Sequence, residues 1–174
     1  MILVSSCLAG HKVRYDASDC YNNSIAQLLQ QQLAISVCPE LLGGFSTPRE
    51  PAEIVGGNGD DVLNGRAKVY DASGNDVTDL YITGAEEALK KAKELSASIV
   101  ILKENSPSCG SGKIYDGSFS GRKVEGTGVT AALFKQNGIK VLSEKNLDEI
   151  NHLLQSNLCH LEYYSNLTKE LSVK

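Results

Sequence analysis

The sequence predicts an α/β fold, a single-domain Rossmann-like sandwich with a mostly parallel sheet of about four strands and helices on both faces. Two observations predict it. Short apolar runs that are typical of buried strands recur along the chain, and segments with apolar residues at helical spacing separate them. Such alternation favours parallel strands joined by right-handed crossovers. The length of 174 residues suits one domain with a sizeable core.

Four apolar runs predict the strands of this sheet. They lie at residues 2–5, 33–37, 99–102 and 139–142. The third run, Ile99-Val100-Ile101-Leu102, is continuously apolar, as expected of a strand that is buried on both faces. We expect the strand order 2-1-3-4, with the switch point of the sheet between the first and third strands.

Helical spacing of apolar residues predicts the elements between and after these strands. The predicted helices cover residues 23–32, 78–96, 127–136 and 146–154. Each of the first two begins with residues that commonly cap helices, Asn23 or Ser24 and Thr78 or Asp79. The fourth is expected to be capped by Asn146 in the same way.

Two long segments, residues 38–64 and 110–128, are rich in glycine and are predicted to be loops. Loops of this length in a compact domain are commonly functional. We expect residues 1–155 to form the α/β domain. Residues 156–174 are expected to form a C-terminal tail that packs on this domain or on a partner and is partly helical.

Three cysteines follow predicted strands: Cys38 directly, Cys7 after one residue and Cys109 after a polar break that contains Pro107. The carboxyl ends of parallel strands meet at one edge of the sheet, so the three thiols are expected to converge there. Iron–sulfur clusters are held by cysteine sulfur, usually from four residues. With three protein ligands one iron keeps an open position, which is the mark of a catalytic metal site. Such an iron suits binding of a substrate's thiocarbonyl group.

Other interpretations of these cysteines remain open. Free cysteine is a common core residue, so each thiol could simply be buried. A zinc ion held by Cys7, His11, Cys38 and Cys109 is a second alternative, although the sequence lacks the paired C-x₂-C spacing of structural zinc sites. A metal-free sulfur carrier that forms a persulfide on Cys109 is a third, and it would need a lowered thiol pKa. Cys20 and Cys159 lack the strand-end context and are assigned to packing.

Charge and cysteine number exclude several classes of protein. The formal net charge is −4 and there is no block of Lys or Arg, which argues against a nucleic-acid polymer as partner. A small thiolated base remains compatible. Five cysteines do not suggest a disulfide framework, and no apolar run is long enough to span a membrane. We therefore expect a cytoplasmic protein without a secretion signal.

A series of short segments resembles a known family in number and order. They are Ser6-Cys7-Leu8-Ala9-Gly10, Val13-Arg14-Tyr15-Asp16, Cys38-Pro39-Glu40, Gly43-Gly44, Thr47-Pro48-Arg49, Pro51-Ala52-Glu53-Ile54, Gly65-Arg66-Ala67, Lys103-Glu104-Asn105-Ser106-Pro107-Ser108-Cys109-Gly110, Tyr115-Asp116-Gly117-Ser118-Phe119 and Gly126-Thr127-Gly128-Val129. With these segments the chain resembles the domain-of-unknown-function 523 family, whose characterised members include thiouracil desulfidase.

The resemblance implies a [4Fe–4S] cluster held by Cys7, Cys38 and Cys109, with one open iron. It also implies that water replaces the sulfur of a thiolated base such as thiouracil, without net redox change, and that sulfide is released. A non-catalytic cluster- or metal-binding sensor module is the alternative from another class of function.

Catalytic roles are expected for two residues near these cysteines. Glu40 lies two residues past Cys38 and is the candidate general acid/base. Ser106 is similar to the family's active-site serine and could orient the base or water. Their structural alternatives are a helix-dipole contact for Glu40 and the start of a turn for Ser106. Arg14, Asp16 and Arg49 lie in matching loops and are ranked as supporting residues.

Overall fold

The computed structural model describes residues 1–146 and 148–155. Its named elements follow in chain order: β1 (Ile2–Ser5), α1 (Asn23–Gln30), β2 (Ala34–Val37), α2 (Pro39–Leu42), β3 (Ala52–Val55), α3 (Gly59–Leu63), β4 (Lys68–Asp71), α4 (Thr78–Glu94), β5 (Ile99–Leu102), β6 (Lys113–Tyr115), β7 (Lys123–Glu125), α5 (Val129–Gln136) and β8 (Lys140–Ser143). Residues 148–155 are also helical.

The central sheet has four parallel strands in the order β2-β1-β5-β8. This confirms the predicted order 2-1-3-4. Ile2 of β1 lies opposite Ala34 on one side and Ile99 on the other. The switch point therefore lies between β1 and β5, and the segments that follow β1, β2 and β5 leave the sheet at the same edge.

Helices cover both faces of the sheet, because alternate residues of each strand point to opposite sides. On one face α1 and the helix at 148–155 pack against Ile2, Val4 and Ile101. On the other face α4 and α5 pack against Leu3 and Val100. The α/β sandwich with helices on both faces is therefore confirmed.

The first two helix caps differ from those expected. α1 is capped by Asn22, whose Oδ1 accepts from the backbone N–H of Ile25 at 3.2 Å. α4 begins at Thr78 after Val77, which provides no side-chain cap. The Thr78 hydroxyl instead accepts from the backbone N–H of Val69 at 3.0 Å, so the predicted capping group is used to attach the helix to β4.

The two predicted loops contain regular structure, and that part of the prediction was wrong. Residues 38–64 include α2, β3 and α3, and β3 pairs antiparallel with β4. Residues 110–128 include the antiparallel pair β6 and β7. These elements are only three to five residues long, too short for a periodic pattern to mark them.

The division into a domain of residues 1–155 and a tail of residues 156–174 stays a prediction, since the tail and Cys159 lie outside the described residues. Asn146 is described, and its Oδ1 accepts from the backbone N–H of Ser143 at 2.9 Å. In the part of the chain that is described, no helix combines the length and the apolar character needed to cross a bilayer.

Candidate functional site

A cavity of about 380 Å³ opens at the carboxyl ends of β1, β2 and β5. This volume lies within the usual range for small-molecule sites. Cys7, Cys38 and Cys109 all line it, although they are far apart along the chain. The parallel topology brings them together, because each thiol follows a strand that ends at this edge.

Cys7 and Cys109 are buried at the base of the cavity, with 8% and 6% of their surface exposed. Ser5, the last residue of β1, connects Cys109 to the sheet. Its hydroxyl contacts the Cys109 sulfur at 3.6 Å and accepts from the backbone N–H of Lys103 at 3.1 Å. The strand end therefore fixes the position of the Cys109 thiol directly.

Cys38 occupies the capping position of α2, with Pro39 at the first helical position. Proline suits this position because its missing N–H has no partner there. The backbone N–H groups of Glu40 and Leu41 face the Cys38 sulfur and act to lower its pKa. These donors favour a thiolate, as helix N-termini generally do.

Burial nevertheless dominates the ionisation of all three thiols. Together with smaller contributions from Cys20 and Cys38, burial raises the pKa of Cys7 to about 12. Burial also raises the pKa of Cys38 and of Cys109, where Glu40 adds to the effect. A metal removes this penalty, since binding replaces the protons with a cation. The raised pKa of Cys109 disfavours its use as a metal-free persulfide carrier.

The cysteines are arranged differently from the ligands of a single ion. Across residues 1–146 and 148–155, no group of three or more His, Cys, Asp or Glu side chains is placed to hold one metal ion. His11 is exposed and does not line the cavity, so the zinc arrangement of Cys7, His11, Cys38 and Cys109 is disfavoured. Thiolates that hold an iron–sulfur cluster bind different irons and need not surround one point.

Asn105 gives a second reason to place a bound group in this cavity. It lines the cavity with a left-handed backbone, φ 66°. Its Oδ1 atom is buried and has no hydrogen-bond partner within the described chain. Buried polar atoms are almost always partnered in folded proteins, so an unpartnered one beside a cavity indicates a site that a ligand completes. The three thiols are the donor set that fits a cluster, whereas the Asn105 oxygen is an acceptor and fits an N–H or O–H group of a second bound molecule.

Glu40 and Arg49 form an ion pair in the cavity wall. Arg49 donates from Nε to Glu40 Oε2 at 2.7 Å, and its Nη2 contacts the same oxygen. Only 8% of the Arg49 side chain and 14% of the Glu40 side chain is exposed. Arg49 Nη1 also donates to the carbonyl groups of Val13 at 3.0 Å and Ser46 at 3.1 Å. Arg49 thus holds the carboxylate at Oε2 and leaves Oε1 without an arginine contact.

Ser106 connects Glu40 with the Cys109 loop. Its hydroxyl donates to Glu40 Oε1 at 3.4 Å and accepts from the backbone N–H groups of Ser108 and Cys109, both at 3.1 Å. A hydroxyl has one donor and two acceptor positions, and all three are used here. Ser106 therefore has the predicted turn geometry and also contacts the candidate acid/base.

The loop after β1 places Arg14 on the cavity but not Asp16. Arg14 Nη1 donates to the Cys20 sulfur at 3.0 Å, and Cys20 packs against the core beside Cys7. Asp16 is exposed and accepts from the backbone N–H of Ser18 at 3.1 Å, so it stabilises a turn. The packing role predicted for Cys20 agrees with these contacts.

Sequence reasoning missed the role of Glu104. This carboxylate is 5% exposed and accepts from the N–H groups of Ser111, Gly112 and Lys113 at 2.8–3.2 Å. Burial acts to raise its pKa, but these hydrogen bonds outweigh that effect and the pKa is lowered. An acidic residue between a buried strand and a glycine-rich turn was the available signal, because closely spaced amides need an acceptor.

Lys103, the residue before it, lines the cavity and donates to Glu144 Oε1 at 2.5 Å. Its position on the wall adds a positive charge near Cys7, which acts to lower that thiol's pKa.

Fold and site together define an α/β protein with three thiols on one cavity at the switch point of a parallel sheet. The chain belongs to the family described as 2-thiouracil desulfurase, whose model matches residues 2–146. A protein of Bacillus subtilis strain 168, the uncharacterized protein YbbK, is 62% identical over 150 residues, which is 86% of this chain and 99% of that protein.

A solved structure is also similar to this chain. It is described as the [4Fe-4S]-dependent thiouracil desulfidase TudS, with 41% sequence identity and a TM-score of 0.77. The match covers 88% of this chain and 97% of that one. The family predicted from the short sequence segments is therefore confirmed.

Proposed function

We propose that this protein is a [4Fe–4S]-dependent desulfidase that hydrolyses a thiolated pyrimidine such as thiouracil and releases sulfide. The observation that carries the proposal is the cavity in which Cys7, Cys38 and Cys109 meet the Glu40–Arg49 pair. Family membership and the description of the solved relative support the same activity.

Cys7, Cys38 and Cys109 are the proposed ligands. A bound cluster with one iron free of protein ligands supplies a Lewis acid that binds sulfur and makes it a better leaving group. The protein contributes the shape of the site, because the three thiols that would hold the cluster all line one cavity. Burial of the thiols limits the access of bulk water to them.

Glu40 is the proposed general acid/base. Arg49 holds Oε2, so Oε1 is the atom that takes a proton from the attacking water and returns one to the departing sulfur or the ring. Ser106 donates to this oxygen and orients it. The overall change is balanced without an electron acceptor: the thiocarbonyl and water give a carbonyl and hydrogen sulfide.

The remaining features fit a small neutral substrate in a reducing compartment. The net charge of −4 gives no electrostatic attraction for a nucleic-acid polymer. Cys7, Cys20, Cys38 and Cys109 are free thiols rather than disulfides. Both observations support a cytoplasmic enzyme that acts on a free thiolated base.

Turnover of thiouracil by anaerobically purified protein tests the proposal. We expect sulfide and uracil in equal amounts from 2- or 4-thiouracil. Glu40→Gln should keep its iron and lose about 100-fold or more in rate, because the carboxylate that transfers the proton is gone. Sulfide, uracil and iron assays on the same samples measure this.

The matched control is Glu87→Gln, which changes a carboxylate on the exposed face of α4 and should have wild-type activity. A fully active Glu40→Gln enzyme would show that the proposed acid/base is wrong. Cluster-loaded wild-type protein that releases no sulfide would refute the desulfidase and indicate a binding or sensing module.

A further inference from the structure

Phe119 is an exposed aromatic residue on the wall of the candidate active site. It lines the same cavity as the three thiols, and 42% of its surface is exposed. An exposed large apolar residue is unremarkable alone, but one on the wall of a cavity offers a surface to a ligand.

The backbone at Phe119 is held in an unfavourable conformation. Its φ is 55°, in the left-handed region that bulky residues rarely adopt. Such strain persists only where the surroundings impose it, and it is concentrated at ligand-binding and active sites. The conformation therefore needs a specific anchor.

Glu53 provides that anchor from β3. Its Oε2 accepts from the backbone N–H groups of Gly117 at 2.9 Å and Phe119 at 3.0 Å. Glu53 is 8% exposed, so the two N–H groups satisfy a buried charge. Gly117 itself has φ 84°, and a Cβ there would lie 2.5 Å from the carbonyl oxygen of Ile54. The loop is thus fixed against β3 at close range.

The Phe119 ring also differs from the other aromatic rings on the cavity wall. Arg14 lies over the Tyr15 ring at 5.6 Å, and Lys123 lies over the Tyr115 ring at 5.4 Å. Tyr81 contacts Phe45 edge to face. Phe119 has no aromatic or cationic neighbour of this kind among the residues that the structure describes.

We propose that Phe119, anchored by Glu53, stacks on the pyrimidine ring of the substrate and makes the site selective for ring-shaped thiocarbonyl compounds. This stacking proposal rests on the proposed function only in taking the ring to be a pyrimidine. Stacking of a base on an aromatic side chain is independent of the reacting group, so it should affect substrate binding rather than the chemical step.

Kinetics of the anaerobic holoenzyme test the stacking contact. Phe119→Ala should raise KM for 2-thiouracil roughly 5- to 150-fold, the loss expected for one base–aromatic stack, and leave kcat within about twofold. Phe119→Tyr should restore the wild-type KM. Thiourea carries the thiocarbonyl without a ring, so any turnover of it should be equal in the wild type and Phe119→Ala.

Val124→Ala is the matched control, since Val124 is similarly exposed at 39% but lies on β7 away from the cavity wall. It should leave KM unchanged. An unchanged KM in Phe119→Ala, or an equal rise in Val124→Ala, would overturn the stacking proposal.

A uracil titration of the holoenzyme by calorimetry separates the two proposals, because it needs no turnover. Uracil should bind the wild type and Phe119→Tyr, and bind Phe119→Ala more weakly by the same factor as KM. No uracil binding to the wild type, or equal binding to Phe119→Ala, overturns the stacking contact. Failure of the wild type to release sulfide while this pattern holds refutes only the desulfidase function.

Discussion

Arg49 is the residue that most directly determines the orientation of Glu40. It makes two contacts to Oε2 of the carboxylate, and its other donors reach the Val13 and Ser46 carbonyl groups and Thr47 Oγ1 at 3.0–3.4 Å. Its guanidinium also lies 5.8 Å from the centre of the Phe45 ring. This planar group joins three segments of the chain at one carboxylate.

Arg49→Lys should therefore lower kcat by about 10- to 100-fold while iron content stays at the wild-type level. Lysine keeps the charge, but its single ammonium group cannot reproduce the planar set of contacts. Steady-state rates and iron assays measure the effect. Arg66→Lys, at the exposed pair with Asp61, is the control and should have no effect. Wild-type kcat in Arg49→Lys would contradict the orienting role.

At the residue scale, the sequence predicted the position of side chains that lie a few residues past the end of a central strand. The positions of Cys7, Cys38 and Cys109 on one cavity follow from their places after predicted strands. Partners such as Arg49 for Glu40 are nine residues away across a turn, and no local pattern specifies that contact. Glu53 was missed for the same reason, since its partners lie more than 60 residues further along the chain.

Close packing of α2 on α4 positions the segment that carries Cys38 and Glu40. Gly43 and Gly84 allow this approach. A Cβ on Gly43 would lie 2.1 Å from the carbonyl oxygen of Leu80, and one on Gly84 would lie 2.2 Å from that of Pro39. Both contacts involve backbone atoms, which cannot move without displacing a helix.

Gly84→Ala should lower the free energy of unfolding by about 1–3 kcal/mol, the usual cost of overpacking. In an ordinary helix interior, a Gly-to-Ala change raises the free energy of unfolding by up to about 1 kcal/mol. A decrease in Gly84→Ala would therefore indicate the close contact with α2. Urea unfolding under anaerobic conditions measures it. Gly112→Ala is the control, because no atom lies within 4 Å of its added Cβ. Unchanged or increased stability in Gly84→Ala would show that α2 and α4 are not in contact as described.

Element-scale prediction succeeded for long periodic segments. α4 and the four central strands lie within a few residues of their predicted bounds. The prediction that residues 38–64 form a loop was wrong, because the short elements there depend on tertiary contacts. One such contact is the close packing of α2 on α4 at Gly43 and Gly84. Cys38, Glu40 and Arg49, which line the cavity, all come from this segment.

At the scale of the whole molecule, the strand order explains why distant cysteines share a cavity. β1 lies between β2 and β5, so the segments that follow these three strands are neighbours at one edge. A doubly wound sheet forms its ligand crevice at this point by topology alone. The fold therefore supplies the meeting place, and the surrounding loops supply the carboxylate, guanidinium and aromatic groups.

The iron and acid-labile sulfide content of anaerobically purified protein tests this account most directly. The wild type should hold about four irons and four sulfides per chain, and Cys7→Ser, Cys38→Ser and Cys109→Ser should each lose them. Cys20→Ser, which changes a thiol beside Cys7 but outside the cavity lining, should retain them. Full cluster content in any of the first three variants, or zinc in place of iron in the wild type, would contradict the account.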